Sequence, residues 1–315
     1  MKQRREILKT LCASPLLMAM PSLSFAAETG SGPEQSVKRP LIYSRIPSSG
    51  EKIPAIGMGS YQTFNVAPDE VANKENLSQV LATFFNMHGC LIDSSPMYGR
   101  SESVIGELVG QLEERQKFFA ASKVWTYGKE AGIKAVETSR QRMQVEQMDL
   151  MQVHNLRDWQ VHLPTLQSLK SEKKIRYTGI TTSFLGQYAD FEAVMKSQPL
   201  DFVQLNYNIK IREAERRLLP LAMDKGMAVI VNMPYEKGRL FKLVKGKALP
   251  EWAKEFDCDS WGQYFLKFIL SHPAVTCAIP ATSKVKHMQD NMMAMTGRLP
   301  DAKMRQQMLA YIEDI

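Results

Sequence analysis

Cysteine is scarce. Four occur in 315 residues, and Cys12 lies in the N-terminal segment, leaving Cys90, Cys258 and Cys277 as an odd, widely spaced set. Neither a disulfide framework nor a zinc spacing follows from them, and each is expected to act as a small buried hydrophobe. Histidine is nearly as rare: His88, His154, His162, His272 and His287 form no H-x-H or H-E-x-x-H pair, so no metal is expected. After the first thirty residues no apolar run is long enough to span a bilayer, which argues against a permanent membrane anchor. A basic stripe interleaved with aromatics is also missing. The net charge is +7, of which Lys2, Arg4, Arg5 and Lys9 against Glu6 account for three, and the rest is mixed with acids. Nucleic acid is therefore a poor partner. No G-x-S-x-G elbow marks a serine nucleophile, and no G-x-G-x-x-G turn follows an apolar run.

What is present begins at the N-terminus. "QRREILK" leads into "TLCASPLLMAMPSLSFAA", a modest apolar core ending in the small residues Ser24, Ala26 and Ala27. Paired Arg4 and Arg5, then Ile7, Leu8 and Lys9, resemble a twin-arginine export signal. The rival is a basic, frayed first helix. Residues 1–27 are expected to be a signal peptide cut near Ala26, 28–40 a flexible linker, and 41–315 the folded domain. The protein is then exported or periplasmic, with the twin-arginine machinery as a partner. Cys12 lacks preceding small residues, so a lipid anchor on it is not expected.

Short apolar runs bounded by turn residues recur: "AIGMG" near Ile56, "CLID" near Ile92, "FFAASKV" near Ala121 and "DLMQVH" near Gln152. "YTGIT" near Gly179, "FVQLN" near Gln204, "MAVIVNM" near Ile230 and "VTCAIP" near Ala278 follow. Stretches of helical period lie between them, among them "NLSQVLATFFNMHG" and "SWGQYFLKFILSH", with Gly89 and Gly226 at expected helix C-termini. Eight strands alternating with helices indicate a parallel α/β architecture. An open doubly wound sheet is the rival. The count of eight and the missing glycine fingerprint favour a closed eight-stranded (β/α)8 TIM barrel. "DAKMRQQMLAYIEDI" reads as an amphipathic C-terminal helix packed on it.

In such a barrel the C-terminal ends of the strands converge on one mouth. Asp93 and Tyr98 follow the second run, Lys123 the third and His154 the fourth; Thr181, Thr182, Gln204, Asn206 and Asn232 follow later ones. Singly, Asp93 could cap a helix, Tyr98 anchor a loop, Lys123 lie on the surface and His154 fill the core. Four such groups from three successive strand ends favour a site. A phenol with a pKa of about 10 donates its proton reluctantly; an adjacent ammonium lowers that pKa, and a carboxylate holds the ammonium charged. A neutral imidazole can orient a carbonyl oxygen. Together the groups suit protonation of an oxyanion as hydride reduces a carbonyl.

These residues, in the settings "IDSSPMYGRSE", "ASKVW" and "MQVHN", resemble the aldo-keto reductase family from about Lys52 to Asn291. "IPAIGMGSYQ" looks like that family's opening hairpin and first strand, and "VQLNYN" like its sixth strand. The resemblance implies an oxidoreductase acting on a small carbonyl substrate. Tyr98 would be the general acid, Lys123 would lower its pKa, Asp93 would orient Lys123, and His154 would position the carbonyl. It also implies a nicotinamide cofactor held without a Rossmann fold, usually NADP(H), with NAD(H) possible. Gln204 falls where the family binds the carboxamide, and Gly59 and Ser60 beside the cofactor.

Departures from the family pattern are visible. Thr181 and Thr182 replace its Ser-Asn pair, and Asn232 replaces a tyrosine that often stacks on the nicotinamide, which passes stacking to Met233 or another group. "IPATSKVKHMQDN" resembles the adenosine-phosphate loop, with Ala281 for the usual glycine and Asp290 for glutamate. Lys284 and Ser283 would then take a 2′-phosphate, His287 falls on the motif's Gln/His position, and Asn291 would face adenine. Tyr61, Met97, Trp125 and Asn155 are expected to border an open substrate pocket in a monomer. A rival from another class is a nicotinamide-nucleotide-binding or sensing module with little turnover.

Overall fold

A computed structural model describes residues 39–315. The export signal and most of the linker read from the sequence lie outside the described residues. The described chain opens with a hairpin: β1 (Tyr43–Arg45) runs antiparallel to β2 (Lys52–Pro54), with Tyr43 opposite Pro54 and Arg45 opposite Lys52. Its buried Ile46 and Ile53 join the residues that fill the barrel interior.

Eight parallel strands follow, each paired with the next: β3 (Met58–Gly59), β4 (Leu91–Asp93), β5 (Phe119–Val124) and β6 (Met148–His154), then β7 (Ile175–Thr181), β8 (Phe202–Asn206), β9 (Ala228–Asn232) and β10 (Val275–Ala278). Parallel bridges Ile56–Ala278 and Gly59–Ala281 join the first of these to the last, so the sheet closes on itself. The eight apolar runs read from the sequence thus form the expected α/β barrel.

Period-two alternation sorts the strand residues. Leu91, Phe119, Ala121, Leu150, Tyr177, Phe202, Ala228 and Ile230 pack together inside the barrel. Their neighbours Ile92, Ala120, Met151, Val153, Ile180, Val203, Val229 and Val231 pack outward, in the larger core shared with the helices. Continuing the inward series to the strand ends gives Asp93, Lys123, Gln152, His154, Thr181, Gln204 and Asn232. The polar mouth therefore follows from strand register.

The outer layer holds α1 (Val71–Asn86), α2 (Ser101–Val109), α3 (Lys129–Arg142), α4 (Trp159–Ser171), α5 (Tyr188–Ser197), α6 (Leu218–Asp224), α7 (Arg239–Leu243), α8 (Trp261–Leu270) and α9 (Val285–Met293). The closing helix α10 (Ala302–Glu313) buries Met308 and Ile312, one face of the expected amphipathic tail. In α1 the buried residues Leu77, Val80, Leu81, Phe84 and Phe85 recur at three- and four-residue steps, a stripe facing the sheet. Gly226 has φ +65° and supplies the left-handed turn after α6. After α1 that conformation falls on His88 (φ 70°) instead, and Gly89 serves a different need: a Cβ there would lie 2.2 Å from the Phe84 ring. No helix among the described residues is long and apolar enough to cross a membrane.

Candidate active site

Asp93 ends β4, Lys123 is the penultimate residue of β5 and His154 ends β6. Tyr98 sits between β4 and α2 on a loop pinned at both ends. Ser94 N–H donates to the Ala121 carbonyl (2.9 Å), Tyr98 N–H donates to the Ser95 carbonyl (2.9 Å), and Gly99 turns the chain at φ +63°.

The structure brings these four side chains together. Lys123 Nζ donates to Asp93 Oδ2 at 2.6 Å and to the Ser94 carbonyl at 2.6 Å, and it lies 5.2 Å from the Tyr98 ring centroid. Lys123 is 0% exposed and Asp93 3%, so the ion pair is dry. Such a pair survives burial only when its remaining valences are filled. Asp93 Oδ1 accepts from Gln204 Nε2 (3.0 Å) and Gln152 Nε2 (3.2 Å). Tyr98 meets the His154 ring edge-on with centroids 6.1 Å apart, and Ser95 Oγ lies 3.1 Å from His154 Nδ1.

Burial opposes the charge on Lys123, but Asp93 and Tyr98 carry its pKa above the ordinary lysine value. For Tyr98 the balance differs from the sequence expectation. Burial pushes its pKa up, Lys123 pulls it down and Asp93 pushes it up again, leaving it above that of a free phenol. Desolvation of the phenolate outweighs the ammonium. Burial, then Lys123 and Arg157, hold His154 down to about 3, so its imidazole is neutral at physiological pH.

A second polar group adjoins the four, with His154 beside Thr181 on the neighbouring strand. Thr181 Oγ1 donates to Gln204 Oε1 (2.8 Å), so both ends of the Gln204 amide are engaged inside the protein. Asn232 Nδ2 donates to the Thr182 carbonyl (3.1 Å), Thr182 Oγ1 to Gln187 Oε1 (2.6 Å), and Gln187 Nε2 to the Asn155 carbonyl (3.1 Å). The Oδ1 atoms of Asn155 and Asn232 are buried with no partner among the described residues. Met233 follows with φ 49°, its carbonyl accepting from Asn208 Nδ2 at 3.3 Å. Gly59 is pressed against β10, where a Cβ would lie 2.9 Å from the Ile279 carbonyl. Ser60 Oγ donates to the Asp93 carbonyl at 3.0 Å.

Ser283 and Lys284 on the loop after β10, and His287 in the first turn of α9, are all exposed. The Ser283 carbonyl accepts from Asn76 Nδ2 of α1 (2.6 Å), and Lys284 N–H donates to Thr282 Oγ1 (3.1 Å). Asn291 is buried, with Oδ1 accepting from the Tyr235 hydroxyl at 2.5 Å and its amide nitrogen without a partner among the described residues. Asp290 accepts from Ser260 Oγ (2.7 Å) and Gln263 Nε2 (2.8 Å), which commits it to the start of α8.

Around Tyr98, the Tyr61 ring stands edge-on at 5.0 Å and the Trp125 ring lies 6.5 Å from His154. Both are partly exposed, as is Met97. Four participants escape a reading of the sequence. Gln152 stands two residues before His154 on the same strand face, so alternation could have found it. Ser95 and Arg157 lie on loops, and Gln187 ends a single 3-10 turn (Leu185–Gln187), whose paths no local pattern fixes.

Comparison with known proteins agrees with this architecture. A methylglyoxal reductase of Escherichia coli is 28% identical over 275 residues, covering 84% of this chain and 93% of the relative. An aldo/keto reductase of Klebsiella pneumoniae, solved with NADP and acetate, superposes with a TM-score of 0.72 at 23% identity, covering 85% of this chain and 95% of the other. The same organism supplies a structure with NADPH at a TM-score of 0.71, 23% identity, and 88% and 95% coverage. The aldo/keto reductase family model matches residues 55–308, most of the described chain. With that match resting on the closed barrel just described, this chain is an oxidoreductase of the aldo/keto reductase family.

Proposed function

We propose that the protein reduces small aldehydes or ketones to alcohols with NADPH, with Tyr98 giving the proton. The observation that carries this reading is the buried Lys123–Asp93 pair beneath Tyr98, facing a neutral imidazole. The raised pKa of Tyr98 suits the role: the phenol keeps its proton until an alkoxide forms beside it. Lys123 then stabilises the phenolate left behind. Asp93 and the Ser94 carbonyl hold Lys123 in place. Ser95 donating to Nδ1 would leave the imidazole proton of His154 on Nε2, free to donate to the carbonyl oxygen.

A bound reduced nicotinamide supplies the hydride. The residues present fit that group. The orphaned Oδ1 atoms of Asn155 and Asn232 need donors, and a carboxamide N–H2 is one. Exposed Lys284 at the start of α9 suits a phosphate. The Klebsiella relatives solved with NADP and NADPH support this cofactor, and the E. coli methylglyoxal reductase supports a short dicarbonyl or aldehyde substrate. Arg4 and Arg5 support export of the folded protein.

NADPH oxidation with methylglyoxal and a panel of small aldehydes tests the reading. Tyr98→Phe should lower kcat by roughly 10²–10⁴-fold while NADPH binding, followed by fluorescence, stays unchanged. Turnover retained within a few-fold would remove Tyr98 as the acid. NADPH binding without turnover in the wild type would favour the sensing module, which the altered Thr182 and Asn232 wall permits.

A further inference from the structure

Three residues past His154, an arginine is held over the mouth by aromatic rings. The Arg157 guanidinium carbon lies 4.4 Å from the Trp125 ring centroid and 4.7 Å from that of Tyr127. Trp125 in turn stands 6.5 Å from the His154 ring, so the cation lies within about 11 Å of the imidazole. The loop is forced into this course: Asn155, Leu156 and Asp158 all have positive φ (51°, 55° and 50°), a conformation costly for non-glycine residues. Arg157 N–H donates to the His154 carbonyl at 3.1 Å, tying the loop to the strand end.

No carboxylate pairs with Arg157 among the described residues. Its neighbour Asp158 is turned away, accepting from Gly128 N–H at 2.8 Å. A guanidinium lying on aromatic faces keeps its edge N–H groups free, and that planar fork matches a carboxylate bidentately. Tyr127 is 67% exposed and Trp125 38%, so the stack is open to an incoming molecule. Arg157 also lies close enough to press on the charge state of His154, which places its field inside the mouth.

We propose that Arg157 is a substrate-binding residue that selects carbonyl compounds bearing a carboxylate a few carbons from the aldehyde or ketone; this rests on the carbonyl-reductase reading above. A carboxylate held at Arg157 leaves the far end of a short substrate beside His154 and Tyr98.

The test compares 4-carboxybenzaldehyde with its uncharged methyl ester. Wild-type kcat/KM should favour the acid, and the preference should shrink as salt is added. Arg157→Gln should lower kcat/KM for the acid about tenfold or more, mainly through KM, and leave the ester within about twofold. Arg157→Lys should recover part of the loss, because it restores charge without the fork. Equal losses for acid and ester, or an unchanged ratio, would overturn the proposal. If the wild type turns over neither aldehyde, the reductase reading is what fails. Calorimetric titration with 4-(hydroxymethyl)benzoate then decides the role of Arg157. Binding weakened by Arg157→Gln upholds it; equal binding, or none to the wild type, sinks it.

Discussion

At the scale of single residues, His154 makes the site's electrostatics measurable. In an unfolded chain an imidazole takes up a proton near pH 6.5, whereas the folded protein holds His154 down to about 3. Above pH 6.5 neither state binds that proton, and His154 adds no pH dependence. As pH falls from 6.5 toward 3 the unfolded chain gains a proton that the folded one refuses. Stability then drops by about 1.4 kcal/mol per pH unit from this group alone. Urea unfolding of wild type and His154→Gln between pH 7 and 4 checks it: the wild-type curve should be steeper by about one proton, and parallel curves would return His154 to an ordinary imidazole. The positions of Asp93, Lys123 and His154 are legible in the sequence because strand alternation dictates where a strand's last inward residue points. Arg157 is not, because its position depends on three left-handed dihedrals and two ring contacts that leave no periodic trace. The raised pKa of Tyr98 is hidden for a related reason: neighbours can be listed from a motif, but the loss of water around them cannot.

At the scale of elements, Gly89 shows how a correct reading can carry the wrong cause. The sequence marks it as a helix terminus, and α1 does end there. The left-handed residue is His88, however, and Gly89 is glycine because the Phe84 ring occupies the space of a Cβ. Phe84 is fully buried, so the ring has little room to yield. Gly89→Ala should therefore cost about 1–3 kcal/mol by overpacking, measured by urea unfolding. Adding Phe84→Leu should recover part of that cost, giving a double variant more stable than the two single losses summed. Strict additivity would assign the effect to the backbone instead. The short pieces are least legible. Only Met58 and Gly59 form β3, the hairpin's first strand (Tyr43–Arg45) precedes the stretch read as the hairpin, and α7 has five residues. Their pairing comes from closure of the barrel rather than from their own propensity.

For the whole molecule, the proposed export places a demand on folding. The described body begins at its own contacts: Arg39 pairs with Asp259 at 2.8 Å, and the Pro40 carbonyl accepts from Gly297 N–H at 2.8 Å. Those contacts lie wholly within the described residues, downstream of the expected cleavage near Ala26. The ends of six consecutive strands, β4 to β9, contribute to one mouth, so a nicotinamide bound there would stabilise the barrel as a unit, by about 2.7 kcal/mol at a hundred times its Kd. Passage in the folded state would let the cofactor travel with the protein, which passage of an unfolded chain forbids. Arg4→Lys with Arg5→Lys should therefore keep the uncut protein in the cytoplasm, while the wild type appears in the periplasm shortened by roughly the signal's length. Fractionation and intact mass measure both. The periplasmic form should release nicotinamide nucleotide when denatured; an export-competent protein that arrives empty and binds none on titration would separate its location from its chemistry and undo the link between them.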